Sequence, residues 1–129
     1  MNVNIEVSIG EFFDKLTILE IKKENITDNA KLVNIQKELD YLGARLESLP
    51  YSRDDVSDEV AELKSINRKL WKIEDDIREK ESNKEFDGAF IDLARSVYFI
   101  NDERSNVKRR INIKLGSDFV EEKSYEEYQ

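Results

Sequence analysis

Most of the residues able to do chemistry in this 129-residue chain fall on two stretches, 71–78 and 98–112, with Lys15 and Glu20 on the first helix in support. Arg104 stands out first, because it lies between Ile100 and Val107 on an apolar stripe. Burying an unpaired guanidinium is prohibitive, so Arg104 needs a carboxylate, an anionic ligand or an escape route to water. Glu20, which follows Phe13 and Leu16 on the packed side of the first helix, is one candidate partner. Tyr98, Asn101, Ser105, Lys108 and Asn112 recur three or four apart and share a face beside it. With Arg109, Arg110 and Lys114 they make a basic stretch in an acidic protein. Two explanations stand: cations suit a helix C-terminus because of its dipole, or the face binds an anion. Trp71, Glu74, Asp75 and Arg78 share a face of the preceding helix. Glu74 and Asp75 could hold Mg²⁺ through oxygen ligands, or they belong to a solvated charge run.

Composition narrows the chemistry further. The chain has no Cys and no His, which removes thiol nucleophiles, disulfides, imidazole acid–base groups and the usual zinc sites. A catalyst here must use carboxylates, Lys, Tyr or metal-bound water. The net charge of -8 argues against nucleic acid as a partner. No apolar run approaches the roughly 20 residues of a membrane span. Residues 1–7 lack the basic start and apolar stretch of a signal peptide. A soluble, cytoplasmic protein with no membrane partner is expected.

Long solvated helices must position these groups, because 39% of residues are charged and 39% apolar. Val3, Ile5 and Val7 alternate as a short extended start. Ser8 and Glu11 then form a capping box, and Ile9, Phe12, Phe13, Leu16 and Leu19 predict a helix over about 9–25. Thr27 or Asp28 can cap a second helix, about 28–49, whose Leu32, Ile35, Leu39, Leu42, Leu46 and Leu49 make a heptad seam stopped by Pro50. Val56, Leu63, Leu70 and Ile77, with Ile66 and Ile73 between them, predict a third helix over about 54–81. The short connection predicts that the second and third helices form an antiparallel, coiled-coil-like hairpin at the centre of the fold. Asp87 can cap a fourth helix, about 88–115, which Gly116 ends. The tail, 117–129, is read as irregular. Its Glu121, Glu122, Glu126 and Glu127 could fold back on the basic helix end, with Phe119 and Tyr125 as apolar anchors. The fold expected is one all-α, four-helix bundle-like domain.

Several strings carry a resemblance across nearly the whole chain. They are Ser8-Ile9-Gly10-Glu11-Phe12-Phe13-Asp14-Lys15-Leu16 with its continuation to Lys22, then Leu70-Trp71-Lys72-Ile73-Glu74-Asp75-Asp76-Ile77-Arg78. Leu93-Ala94-Arg95-Ser96-Val97-Tyr98, on to Arg104, and the ending around Gly116-Ser117-Asp118 and Glu121-Glu122-Lys123-Ser124-Tyr125 complete them. The chain resembles an uncharacterised bacterial and phage family, a domain of unknown function with no established activity. The resemblance implies a self-contained unit and transfers no catalytic residue.

Two functional readings follow. In the first, the protein acts by binding or assembly, self-associating as a homo-oligomer or meeting a protein partner, and needs no cofactor. In the second, it is an enzyme or sensor for a small anionic metabolite or nucleotide, with Mg²⁺ as a possible cofactor. Its site would lie between the first, third and fourth helices. The ligand would then be met by Lys15, Glu20, Trp71, Arg78, Tyr98, Asn101, Arg104 and Lys108, and a metal by Glu74 and Asp75. Convergence on one concave pocket would separate the two readings.

Overall fold

The computed structural model describes residues 1–122, 124 and 127. Four helices run in chain order: α1 (Ile9–Asn25), α2 (Asn29–Glu47), α3 (Ser57–Ser82) and α4 (Gly88–Leu115). Their starts are local chemistry. The Ser8 side chain accepts the Glu11 N–H, Asp28 the Lys31 N–H and Asp87 the Phe90 N–H, each satisfying an otherwise orphaned donor of a first turn. Their ends are local too: Gly116 closes α4 in the left-handed region at φ 69°. Lys84 takes the same conformation beyond α3 at φ 57°, and Glu85 N–H returns to the Lys80 carbonyl. Residues 1–7 are exposed and carry neither helix nor strand.

The helix pairing departs from the expected one. The most extensive contact is between α3 and α4, while α1 packs across both and α2 rests on α1. Pairs from Glu62 to Arg110 and Glu59 to Lys114 at one end, and Lys80 to Asp87 at the other, make α3 and α4 antiparallel. The central hairpin is therefore α3–α4, not the expected second and third helices. A single-turn 3-10 segment, Arg53–Val56, lies between α2 and α3 and re-aims the chain. Its Arg53 is gripped by both oxygens of Glu20 on α1, at 2.7 and 3.1 Å. The seam of α2 still turns inward: Ile35 and Leu42 are buried and Leu32, Leu39 and Leu46 pack on the core. That core centres on Phe13, Val56, Val60, Leu63, Val107 and Ile111, all at most 1% exposed.

One close approach fixes α1 against α4. A Cβ on Gly10 would lie 2.5 Å from the Lys108 carbonyl oxygen, and the Gly10 N–H donates to Asn112 Oδ1 at 2.6 Å. The tail leaves Gly116 and turns back along this end. Ser117 Oγ accepts the Ile9 N–H at 3.4 Å, and Glu121 meets Lys108 at 3.1 Å. Phe119 is half exposed, so it is not the apolar anchor expected of it. Charge on a buried lysine holds the tail instead. Tyr125 and Glu126 lie outside the described residues.

Candidate functional site

Where α1 crosses the α3–α4 hairpin, the three helices leave a cleft of about 420 Å³. Ile18 and Ile21 line it from α1, Asn67, Leu70, Trp71, Glu74, Asp75 and Arg78 from α3, and Asn101 and Arg104 from α4. The reason is periodicity. Residues 67, 71, 74 and 78 are spaced along one side of α3, and 101 and 104 are neighbours one turn apart on α4. The cleft opens because α1 is shorter than the hairpin it covers, with Leu70 the last buried residue of α3 and Val107 the first of α4.

Arg104 is held by a carboxylate, as its place on the stripe required, but the partner is Asp14 rather than Glu20. Asp14 Oδ2 accepts from Arg104 at 2.9 Å, and its side chain is 2% exposed. Asp14 Oδ1 accepts from Asn67 Nδ2 at 2.9 Å, and the same amide reaches Thr17 Oγ1 at 3.1 Å. Thr17 in turn donates to the Asp14 carbonyl. Each carboxylate oxygen of Asp14 thus has a donor, which is what lets a carboxylate survive in a core. Arg104 keeps 29% of its side chain exposed, leans on Asn101 at 3.4 Å and lines the cleft.

Six of the residues expected to form a site meet here: Trp71, Glu74, Asp75, Arg78, Asn101 and Arg104. Arg78 and Glu74 are bound to each other across one turn at the rim. The other four are placed elsewhere. Lys15 pairs with Glu38 of α2 on the outside. Glu20 is committed to Arg53 and to Lys64. Tyr98 is exposed on α4 and does not line the cleft. Lys108 is buried behind Asp14, bound to Glu11 at 2.6 Å and Glu121 at 3.1 Å, with Asp14 3.7 Å away.

The electrostatics of that second layer follow from burial and partners. Burial pushes the Lys108 ammonium down, but hydrogen bonds to Glu11 and Glu121 and the charge of Asp14 outweigh it, leaving a raised value. Glu11 is raised by burial and lowered more by Lys108, for a net depression. Lys108 is therefore a locked cation supporting Asp14 and, through it, Arg104. Among the described residues no group of three or more acidic, His or Cys side chains could hold a metal ion. Glu74 and Asp75 offer two carboxylates, of which Glu74 is already paired with Arg78. Asn67 and Asp14 escaped the sequence reading. Their signal was present: Gly10, Asp14, Thr17 and Ile21 share the inward side of α1, and Asn67 interrupts the stripe between Ile66 and Leu70.

Comparison with known proteins now bears on the site. The model of one family, DUF6165, a family of unknown function, matches residues 2–128. The chain belongs to that family. The match embraces every residue of the cleft and every helix that builds it in this DUF6165 member. No curated protein and no solved structure matches the chain. No helix among the described residues is long and apolar enough to cross a membrane.

Proposed function

We propose that this protein acts by binding, and that a small anionic molecule of the nucleotide or sugar-phosphate class seats in the α1/α3/α4 cleft, in the cytoplasm. The observation that carries the reading is the meeting of Trp71, Arg78, Asn101 and Arg104 around one cleft of ligand size. Arg104 is already aimed by Asp14, so little of its side-chain freedom is left to lose when a ligand arrives. Trp71 offers an apolar wall beside that guanidinium, suited to a flat ring. Glu74 and Asp75 would repel a phosphate entering alone. A Mg²⁺ carried in by the phosphate removes that repulsion, because Mg²⁺ is usually held by one or two carboxylates together with substrate oxygens. A sensor needs only this cleft. A catalyst would need an acid or base as well, for which Glu74 and Asp75 are the carboxylates at hand.

Trp71 is the single Trp of the chain, so its fluorescence reports on the cleft directly. Nucleotides, sugar phosphates and dicarboxylates are titrated with and without Mg²⁺, following Trp71 emission and thermal stability. One class should move both signals, and a ligand at ~100 times its dissociation constant adds about 2.7 kcal/mol of stability. Asn101→Ala and Arg78→Ala should weaken that binding without loss of helicity. A response absent from all three classes, or untouched by both substitutions, removes the reading.

A further inference from the structure

Among the described residues, Asn67 alone is polar, lines the cleft and is all but buried, at 5% exposed. Its orientation is fixed by chemistry. A carboxylate only accepts, so the Asn67 atom facing Asp14 has to be the nitrogen. Nδ2 donates to Asp14 Oδ1 at 2.9 Å and to Thr17 Oγ1 at 3.1 Å, which uses both amide hydrogens. No described residue donates to Asn67 Oδ1, so the cleft wall carries a fixed and unanswered acceptor. Arg104 lies beside it, because the two share one carboxylate, Asn67 on Oδ1 and Arg104 on Oδ2. Asp14 and Asn101 take one donor each from Arg104, and the rest of its fork has no acceptor among the described residues. The inner end of the cleft thus sets an acceptor next to spare donors. Glu74 and Arg78 mark the outer end, with side chains 46% and 72% exposed.

A phosphate does not suit that inner end. The charge of Arg104 is already balanced by Asp14 at 2.9 Å. An ionised phosphate ester has no hydrogen to give, so it would meet Asn67 Oδ1 lone pair to lone pair, a mismatch that burial makes costly. We propose that the cleft takes a nucleotide base first, and that Asn67 and Arg104 together read a base edge with a carbonyl beside a ring N–H, as in guanine and uracil. The inference rests on the small-anion reading of the cleft and selects within it the nucleotides over the sugar phosphates. Asn67 Oδ1 accepts the ring N–H, and Arg104 donates to the carbonyl oxygen, whose two lone pairs suit a guanidinium with several donors. Adenine and cytosine offer Arg104 only a ring nitrogen with one lone pair. The ring lies against Trp71, and the phosphate is left toward Arg78. From position 67 to 78 α3 runs about 16 Å at ~1.5 Å per residue, room for base, sugar and phosphate in line.

Titration in Mg²⁺ buffer, followed by Trp71 emission, tests it with GMP, UMP, AMP, ribose 5-phosphate, 1-methyl-GMP and 3-methyl-UMP. The methyl group replaces the ring hydrogen meant for Asn67 and leaves the phosphate untouched. GMP or UMP should bind at least about tenfold more tightly than its methylated form, than AMP and than ribose 5-phosphate. Asn67→Ala should erase the methylation effect by weakening the parent nucleotide while the methylated form binds as before. A clash of the methyl group alone would instead tighten the methylated form, and damage to the fold would weaken both. Should Asn67→Ala fail to fold, the ratios on the unaltered protein still decide. Methylated forms that bind as well as their parents, or ribose 5-phosphate or AMP that binds as well as GMP and UMP, overturn the base-edge inference and leave the small-anion reading standing. Silence toward every probe removes both.

Discussion

Truncating Asp14 to Ala removes the carboxylate on which both the bundle core and the cleft depend. It loses the bond from Arg104 at 2.9 Å and the bond from Asn67 at 2.9 Å, and it leaves Lys108 one carboxylate fewer. A hydrogen bond to a charged group is worth about 1.5–3 kcal/mol, and breaking a fully buried pair costs about 3–5 kcal/mol. The upper figure does not apply. Arg104 can turn toward water with 29% of its side chain already exposed, and Lys108 keeps Glu11 and Glu121. The expected loss is therefore about 3 kcal/mol, or a fall in melting temperature on the order of 10 °C for a domain of this size. Asp14→Asn keeps the shape and the acceptor for Asn67, so about half that loss is expected. Urea denaturation measures the effect, a lower midpoint at constant slope marking a change in stability alone. The Asp14→Ala/Arg104→Ala double variant should be less destabilised than the sum of its singles by about 1–2 kcal/mol. A loss below about 1 kcal/mol, or strict additivity, would refute the account of Asp14 as the anchor of Arg104.

Other outcomes follow from the same packing. Gly10→Ala should destabilise by about 1–3 kcal/mol, since the new methyl would meet the Lys108 backbone oxygen at 2.5 Å; a neutral effect in the same urea assay would contradict the close α1–α4 approach. Leu63→Ala should lose about 2–5 kcal/mol because Leu63 is 0% exposed, and the half-buried Leu39→Ala distinctly less; equal losses by thermal melts would count against the core described. Lys84→Gly should stabilise by up to about 1 kcal/mol, read from its melting temperature, because a left-handed residue favours glycine. Glu20 responds to pH. Burial raises its carboxyl, but Arg53 and then Lys64 depress it below the free value of 4.5. Its contribution is thus complete above that value and lost as pH falls through the depressed folded one. Urea midpoints should drop on acidification below about pH 5, and Glu20→Gln should flatten the drop; an unchanged slope would show that the pair contributes nothing.

What the sequence determined by itself is whatever is settled within a turn or two of helix. Ser8, Asp28 and Asp87 cap the helices they were expected to cap, and Gly116 ends α4, because each bond closes over three to five residues. The same holds for the grouping of Trp71, Glu74 and Arg78, whose spacing alone puts them on one side of α3. Tertiary structure decided everything that required choosing between distant partners. A heptad seam states that a helix buries a stripe, not which helix it buries it against. The seam of α2 could have met α3, but α2 rests on α1 and α3 pairs with α4, with the 3-10 turn at Arg53–Val56 between them tied to Glu20 of α1. Arg104 likewise announced that it needed a carboxylate without saying which. Glu20 and Asp14 both lie on α1, and helical phase, together with the Gly10 crossing, brings Asp14 to an arginine 90 residues away. Local hydrogen bonds are selected by sequence neighbours, whereas the partner of a buried charge is selected by how whole helices cross.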